Sequence, residues 1–245
     1  MMDKNLVKEN TAKEAVNILV KNGMKLGLGT GSTAIPAVRY IGELLNEGKL
    51  KKIIAVPTSF QTTIECEKLG IPLYSLNSRE INGRLDLTID GADEVDNESR
   101  LIKGGGGALL LEKLIAYASD TYAIVVDESK MVENLGTGFP VPVEVIPDAR
   151  ITVSMVLEKI GARVLLREAI RKAGPVITDR GNLLLDIQFT NKIDPAAMEK
   201  FINSIPGVVE NGLFTGPWSL QNPSERILQP QIFTGYSDGR VERRN

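Results

Sequence analysis

Residues 85–126 read LDLTID-GADEVDNESRLIKGGGG-ALLLEKLIAYAS-DTYAIVV, and three textures succeed one another along them. An alternating apolar run predicts a strand at Leu85–Ile89, an almost unbroken apolar stretch predicts a helix at Ala108–Ser119, and Tyr122–Val126 predicts a further strand. Strand, glycine-rich turn, helix and strand in that order is the pattern of a parallel sheet with crossover helices. Four consecutive glycines, Gly104 to Gly107, forgo side-chain packing and cost conformational entropy, so backbone is expected to come very close to something there. Asp90, Asp93, Lys103 and Glu112 surround those glycines, which points to a small anionic substrate.

The same alternation extends in both directions. Upstream it predicts helix 12–21, strand Met24–Leu28, helix Ala34–Leu45, strand Ile53–Val56, helix Ser59–Leu69 closed by Gly70, and strand Leu73–Leu76. The layout is α/β, a doubly wound and mostly parallel sheet. After Gly136-Thr137-Gly138 the texture changes. The proline-punctuated run at 140–147 introduces a strand, followed by helix Asp148–Ile160, strands at Arg163–Arg167, Val176–Thr178 and Leu183–Phe189, and helix Pro195–Ser204 with Asp194 as its cap. Two helices over a hairpin-rich sheet predict a second, smaller α+β domain of ferredoxin-like type. Strand Gln231–Thr234 is expected to return to the first sheet, giving domains at 1–137 plus 213–245 and at 138–212. The tail V-E-R-R-N reads most simply as a solvated terminus.

Composition excludes whole classes of chemistry. At 245 residues, 42% hydrophobic and 24% charged, the chain can bury an ordinary core, and a net charge of -2 offers no general attraction to nucleic acid or to an anionic membrane. No apolar run is long enough to span a bilayer, and the first residues lack the apolar core of a secretory signal, so the expected location is the cytoplasm. The single cysteine, Cys66, rules out an internal disulfide and suits a reducing compartment as a buried helix residue. Histidine is absent, which removes Ser-His-Asp hydrolysis and histidine-ligated zinc or iron. Acid–base work falls to Asp, Glu, Lys, Tyr or Cys, and neither a metal nor an organic cofactor is expected.

Gly27-Leu-Gly-Thr-Gly-Ser-Thr33 sits between the first strand and its helix. Gly29, Thr30, Gly31, Ser32 and Thr33 offer backbone N–H groups, hydroxyls and a helix N-terminus to phosphate oxygens, although a plain turn with a Ser/Thr cap fits the string equally well. The missing Walker lysine and the spacing argue against a nucleoside triphosphate or a dinucleotide. Asp90 and Asp93 fall at the carboxyl edge of a strand, where ligands bind in open sheets and where Asp-Gly also makes ordinary turns. Glu112 has apolar helical neighbours that would desolvate it, but the leucines around it cover so much of the helix that periodicity does not decide whether Glu112 or Lys113 faces inward. A phosphate cradle, two acids beside a lysine and a carboxylate base fit proton transfer next to a carbonyl, as in a sugar-phosphate isomerase.

The strings GLGTGST at 27–33, DGADE at 90–94, KGGGGA at 103–108 with Glu112 following, VPVEVIP at 141–147 and IPGVVENGLF at 205–214 closely resemble the ribose-5-phosphate isomerase A family, over nearly the whole chain. The resemblance implies interconversion of D-ribose 5-phosphate and D-ribulose 5-phosphate in the pentose phosphate pathway, without a cofactor, by a homodimer or homotetramer with a Rossmann-like catalytic domain. It implies Glu112 as the base between C1 and C2, Lys103 beside the developing oxyanion, and Asp90 and Asp93 in ring opening and hydroxyl proton movement. Thr30, Ser32 and Thr33 become substrate and phosphate donors with Gly29, Gly31, Gly104 and Gly105 around them, and Lys130 of D-E-S-K a phosphate-binding lysine. The helix expected over 12–21 sets the family's N-terminal lysine one residue out of register, so Lys8 stands as a candidate. Leu110 and Leu111 replace residues often polar in the family, and the connection containing Trp218, Pro223 and Pro230 is longer than usual, which fits an oligomer contact but reads more simply as a surface loop. Two other classes stay open: a sugar-phosphate sensor without catalysis, and a CoA-transferase-like enzyme with a glutamate nucleophile.

Overall fold

The computed structural model describes residues 2–216 and 229–244. In chain order its elements are α1 (Lys4–Leu19), β1 (Lys25–Leu28), α2 (Ile35–Asn46), β2 (Ile54–Pro57), α3 (Phe60–Lys68), β3 (Leu85–Asp90), β4 (Glu94–Val95), β5 (Leu101–Ile102), α4 (Leu109–Tyr117) and β6 (Ser119–Asp127). There follow β7 (Val141–Val145), α5 (Arg150–Lys159), β8 (Ala162–Leu166), β9 (Leu183–Phe189), α6 (Pro195–Asn203), β10 (Val208–Asn211), β11 (Leu213–Phe214), β12 (Gln231–Gly235) and β13 (Val241–Arg244). The chain divides into two compact units, one of Met1–Gly91, Leu111–Lys130 and Gly216–Asn245, the other of Ala92–Leu110 and Met131–Thr215.

The first unit holds a six-stranded sheet in the order β13-β12-β6-β3-β1-β2. Five of its strands run parallel, and only β13 pairs antiparallel, at the edge beside β12. Parallel strands are covered on both faces, which is why Tyr122 to Asp127 are all buried in a nearly continuous apolar run. Leu26, Leu28, Leu87, Ile89 and Phe233 form the core with Val16 and Ile41 of α1 and α2, each large side chain contributing about 1.5–3 kcal/mol on burial. Chain order reverses at β1: β2 lies on one side of it and β3 on the other. That reversal places the loop after β1 and the last residue of β3 at the switch point of the sheet, where such folds bind ligands.

The second unit contains a four-stranded antiparallel sheet, β10-β7-β9-β8, with α5 between β7 and β8 and α6 between β9 and β10. The resulting β-α-β-β-α-β sequence is the ferredoxin-like arrangement. A smaller sheet, β11-β5-β4, completes the unit. Its core includes Val143, Val153, Leu157, Leu185, Ile187 and Ile202. Helix α6 begins where the sequence signals it, with the Asp194 carboxylate accepting from the N–H groups of Ala196 and Ala197 and Pro195 at the first turn.

Several elements depart from expectation. The N-terminal helix starts at Lys4, not at residue 12, because Asp3 caps it by accepting from Asn5 and Leu6, and its buried face is a sparse stripe of Val7, Thr11, Ala12, Ala15 and Val16. The runs 73–76 and 176–178 are not strands; each contributes one isolated bridge, Leu73 to Ala55 and Ile177 to Leu183. The C-terminal tail is not merely solvated, since Val241–Arg244 pairs with β12 as β13. Trp218 and Pro223 of the long connection lie outside the described residues, whereas Pro230 is buried.

Candidate active site

In the first unit the loop after β1 is fastened to the end of β3. Gly29 N–H donates to the Ile89 carbonyl at 2.9 Å, and a Cβ added at Gly29 would stand 2.1 Å from Asp90 Oδ1. Only glycine tolerates so close an approach. The carboxylate of Asp90 is fully buried, and its Oδ1 accepts from the N–H of Thr30 at 3.1 Å and of Gly91 at 2.8 Å. One oxygen thus serves both the local Asp-Gly turn and a loop sixty residues away. The same loop turns at Gly31, whose φ of +93° suits glycine, and the Gly31 N–H donates to Gln61 Oε1 at 2.9 Å.

Beneath this loop lies a cluster of hydroxyls. Thr30 Oγ1 is 2.6 Å from Thr58 Oγ1, donates to Ser59 Oγ at 2.7 Å and lies 3.3 Å from Thr62 Oγ1. Thr62 in turn donates to the Gly29 carbonyl at 2.7 Å. Ser59 also caps α3. Helix α2 has Ala34 at its cap position and no side-chain cap bond, so neither Ser32 nor Thr33 is spent capping it. Lys8, one turn into α1, donates from Nζ to Ser32 Oγ at 2.9 Å. The earlier start of the helix is what brings this lysine to the loop.

Lys130 follows β6 in a short 3-10 turn, Glu128–Lys130, and is half-buried. Among the described residues its ammonium has no hydrogen-bond or ion-pair partner. Glu112 lies in the first turn of α4, within the part of the helix that belongs to the first unit, and is 4% exposed. Lys113 is 6% exposed while Leu114 is 44% exposed. The helix therefore turns both charged residues inward and a leucine outward, which apolar periodicity was unable to decide.

In the second unit, Asp93 Oδ2 accepts from the N–H of Gly105 at 2.8 Å, and a Cβ at Gly105 would fall 2.7 Å from Asp93 Oδ1. Gly104 has a φ of +102°, and a Cβ there would meet Leu109 at 2.8 Å. Part of the glycine run is thus accounted for by packing within the protein. Lys103 is 3% exposed, its N–H donates to the Gly212 carbonyl at 2.9 Å, and its Nζ stands 5.7 Å from the centre of the Phe214 ring, within cation–π range. Glu94 of the D-G-A-D-E string is buried too, accepting from Gly136 N–H at 2.7 Å and Gly138 N–H at 2.8 Å, which secures the turn before β7.

Motif reading passed over Gln61, Thr58, Ser59, Thr62 and Phe214. The string T-S-F-Q-T-T directly after β2 carried the signal for four of them, since it clusters hydroxyls at the carboxyl end of a strand next to β1. Nothing in the local sequence marks Phe214 as the partner of a buried lysine. Cys66 is fully buried in α3, and burial pushes its thiol up to about 12, which removes it from chemistry.

The chain is similar to known proteins over nearly its whole length. Residues 54–220 match the family model of ribose 5-phosphate isomerase A, phosphoriboisomerase A. A ribose-5-phosphate isomerase A of Treponema denticola is 51% identical over 248 residues, covering 98% of this chain and 99% of the relative. A second, from a Synechococcus species, is 50% identical over 86% of this chain and 89% of its own. Among solved structures, a D-ribose-5-phosphate isomerase in complex with phospho-erythronic acid superposes with a TM-score of 0.90 at 38% identity, covering 100% of both chains. Ribose 5-phosphate isomerase A from Methanocaldococcus jannaschii gives 0.88 at 40% identity, covering 99% of this chain and 100% of its own.

Proposed function

The chain belongs to the ribose-5-phosphate isomerase A family and is an aldose–ketose isomerase acting between D-ribose 5-phosphate and D-ribulose 5-phosphate in the pentose phosphate pathway, and from that premise we propose how its residues divide the work. Glu112 removes the proton at C2 of the open-chain aldose and returns it to C1. Lys103 offers positive charge to the oxygen that becomes the enediolate oxyanion. Asp90 and Asp93 carry hydroxyl protons during ring opening and enediolate formation. The loop 29–33 binds the phosphate together with Lys8 and Lys130, and Gly104 and Gly105 bring backbone close to the sugar.

The observation that carries this assignment is the burial of Glu112 at the start of the helix opened by the glycines. A carboxylate withdrawn from water is a stronger base toward carbon than a solvated one. The loop supports the phosphate role through its last residues: the Ser32 and Thr33 hydroxyls are not spent capping α2, and Lys8 adds a cation beside Ser32. A solved relative in complex with phospho-erythronic acid, a phosphorylated sugar acid, is in keeping with the same ligand chemistry. The proton transfers of the scheme draw on Asp, Glu and Lys alone. The comparisons favour neither a sensor without turnover nor a CoA-transferase. Homodimer or homotetramer assembly and a cytoplasmic location belong to the same proposal; no helix among the described residues is long and apolar enough to cross a membrane.

Substitution of the base tests the scheme. General base catalysis supplies about 10²- to 10⁴-fold, so Glu112→Gln lowers kcat by at least about a hundredfold with KM little changed. Turnover of ribose 5-phosphate near the wild-type rate would refute the assignment. Lys103→Ala lowers kcat as well, whereas Ser32→Ala acts chiefly on KM.

A further inference from the structure

The glycine run of the second unit is held by a side chain that no motif singles out. Arg167, just beyond β8, donates from Nε to Asp186 Oδ2 at 2.8 Å and pairs through Nη2 with Asp186 Oδ1, a two-pronged grip on one carboxylate. Its remaining arm, Nη1, donates to the Gly104 carbonyl at 2.9 Å and to the Gly105 carbonyl at 3.2 Å. Asp186 belongs to the central strand pair of the antiparallel sheet, opposite Pro142 on one side and Leu165 on the other, so the anchor is as rigid as that sheet.

The Gly104 carbonyl and the Gly105 N–H are parts of one peptide group. Because that group is planar and trans, its C=O and N–H point in opposite directions, and a pull on the carbonyl aims the N–H the other way. The Gly105 N–H is the group that donates to Asp93 Oδ2 at 2.8 Å. Two adjacent glycines offer little steric resistance to rotation of the peptide between them. There is also room for such rotation, since Gly105 and Gly106 line a cleft of about 480 Å³ that Arg167 shares.

We propose that Arg167, anchored by Asp186, is a positioning residue for the isomerisation: it fixes the Gly104–Gly105 peptide plane so that the Gly105 N–H holds the Asp93 carboxylate in its working orientation. The inference rests on the role given to Asp93 above. It does not require Arg167 to touch the substrate. Lysine is a poor replacement, because a single ammonium cannot grip a carboxylate with two prongs and reach two carbonyls from a third.

A double-mutant cycle on ribose 5-phosphate turnover tests the inference, with Arg167→Gln, Asp93→Asn and the double variant compared at matched thermal midpoints. A misplacement of about 1 Å costs up to about a hundredfold, so Arg167→Gln is expected to lower kcat by about ten- to a hundredfold with KM within about threefold. Arg167→Lys recovers part of the loss and replaces Arg167→Gln in the cycle should the glutamine variant fail to fold. With Asp93 already replaced, the change at Arg167 is expected to cost less than about threefold more, because coupled residues are not additive. Wild-type kcat in Arg167→Gln, or the same fold-loss with and without the Asp93 carboxylate, overturns the inference while leaving the role of Asp93 intact. Wild-type kcat in Asp93→Asn alone removes the role of Asp93, and the inference falls with it.

Discussion

Replacing Gly29 by alanine adds a single methyl group at the place where two parallel strands deliver their ends to the loop. The new Cβ would lie 2.1 Å from Asp90 Oδ1, 2.4 Å from its Cγ and 2.6 Å from its Cα. The carboxylate can swing away, but the Cα belongs to the end of β3 and is tied through Gly29 N–H to the Ile89 carbonyl at 2.9 Å. Carbon atoms settle at about 3.5–4.0 Å, so the two backbones must part by about 1 Å. Overpacking of this kind costs about 1–3 kcal/mol. Swinging Asp90 aside also removes the bond from Thr30 N–H, worth about 1.5–3 kcal/mol for an ionised acceptor. The sum is about 2.5–6 kcal/mol, or a fall in Tm of about 5–24 °C for a chain of this size. Gly31→Ala is the control: its Cβ would meet nothing within 4 Å, and only the positive φ is penalised, by about 1–2 kcal/mol. Thermal melts followed by circular dichroism, with kcat and KM from ribulose 5-phosphate formation, compare the two. Gly29→Ala is expected to lose far more stability than Gly31→Ala, and to lose kcat through the displaced Asp90. If Gly29→Ala melted within about 2 °C of wild type and turned over normally, close approach at the switch point would not be what selects glycine there.

Thr62→Val removes the hydroxyl that donates to the Gly29 carbonyl at 2.7 Å inside a fully buried setting, and is expected to destabilise by about 1–3 kcal/mol in urea titration while raising KM; unchanged stability would contradict it. Cys66, with its thiol pushed up to about 12, is expected to resist a thiol reagent in the folded protein and to take up one equivalent on unfolding, so stoichiometric labelling of native protein would count against its burial. Burial of Glu144 raises its carboxyl above the ordinary 4.5, only partly offset by the bonds from Asn182 and Thr178. Its contribution to stability is then fully present below that value and is lost as pH rises through the raised one. Glu144→Gln does not titrate, so its Tm relative to wild type should climb between pH 4.5 and neutrality; a difference that stays flat over that range would show no raised carboxyl.

The doubly wound sheet was legible because parallel strands announce themselves as apolar runs between helical periods. Strand β9 and helix α6 fall where pattern and cap residues place them. What escaped was short or sparse. Strands β4, β5 and β11 have two residues each, too few to show alternation, and the first half of α1 is so polar that Leu6 and Val7 alone mark it. That helix start decides whether Lys8 reaches the loop, so an error in an element boundary became an uncertainty about a site residue. The inward direction of Glu112 was hidden for the opposite reason, since leucines surround it on nearly every side. Arg167 is invisible to motif reading because its meaning lies in bonds to backbone 62 and 63 residues away, and Asp186 because its meaning lies in Arg167.

The hydroxyls under the loop after β1 have a consequence for how that loop would answer the phosphate proposed for it. Thr30, Thr58, Ser59 and Thr62 carry no net charge, and in three of their contacts either oxygen can be the donor. A phosphate accepting from Thr30, as proposed above, would leave Ser59 to turn its own hydroxyl back toward Thr30, through rotation about C–O bonds alone. No heavy atom needs to move, and a shift in acidity that recharges the surrounding carboxylates leaves this relay intact.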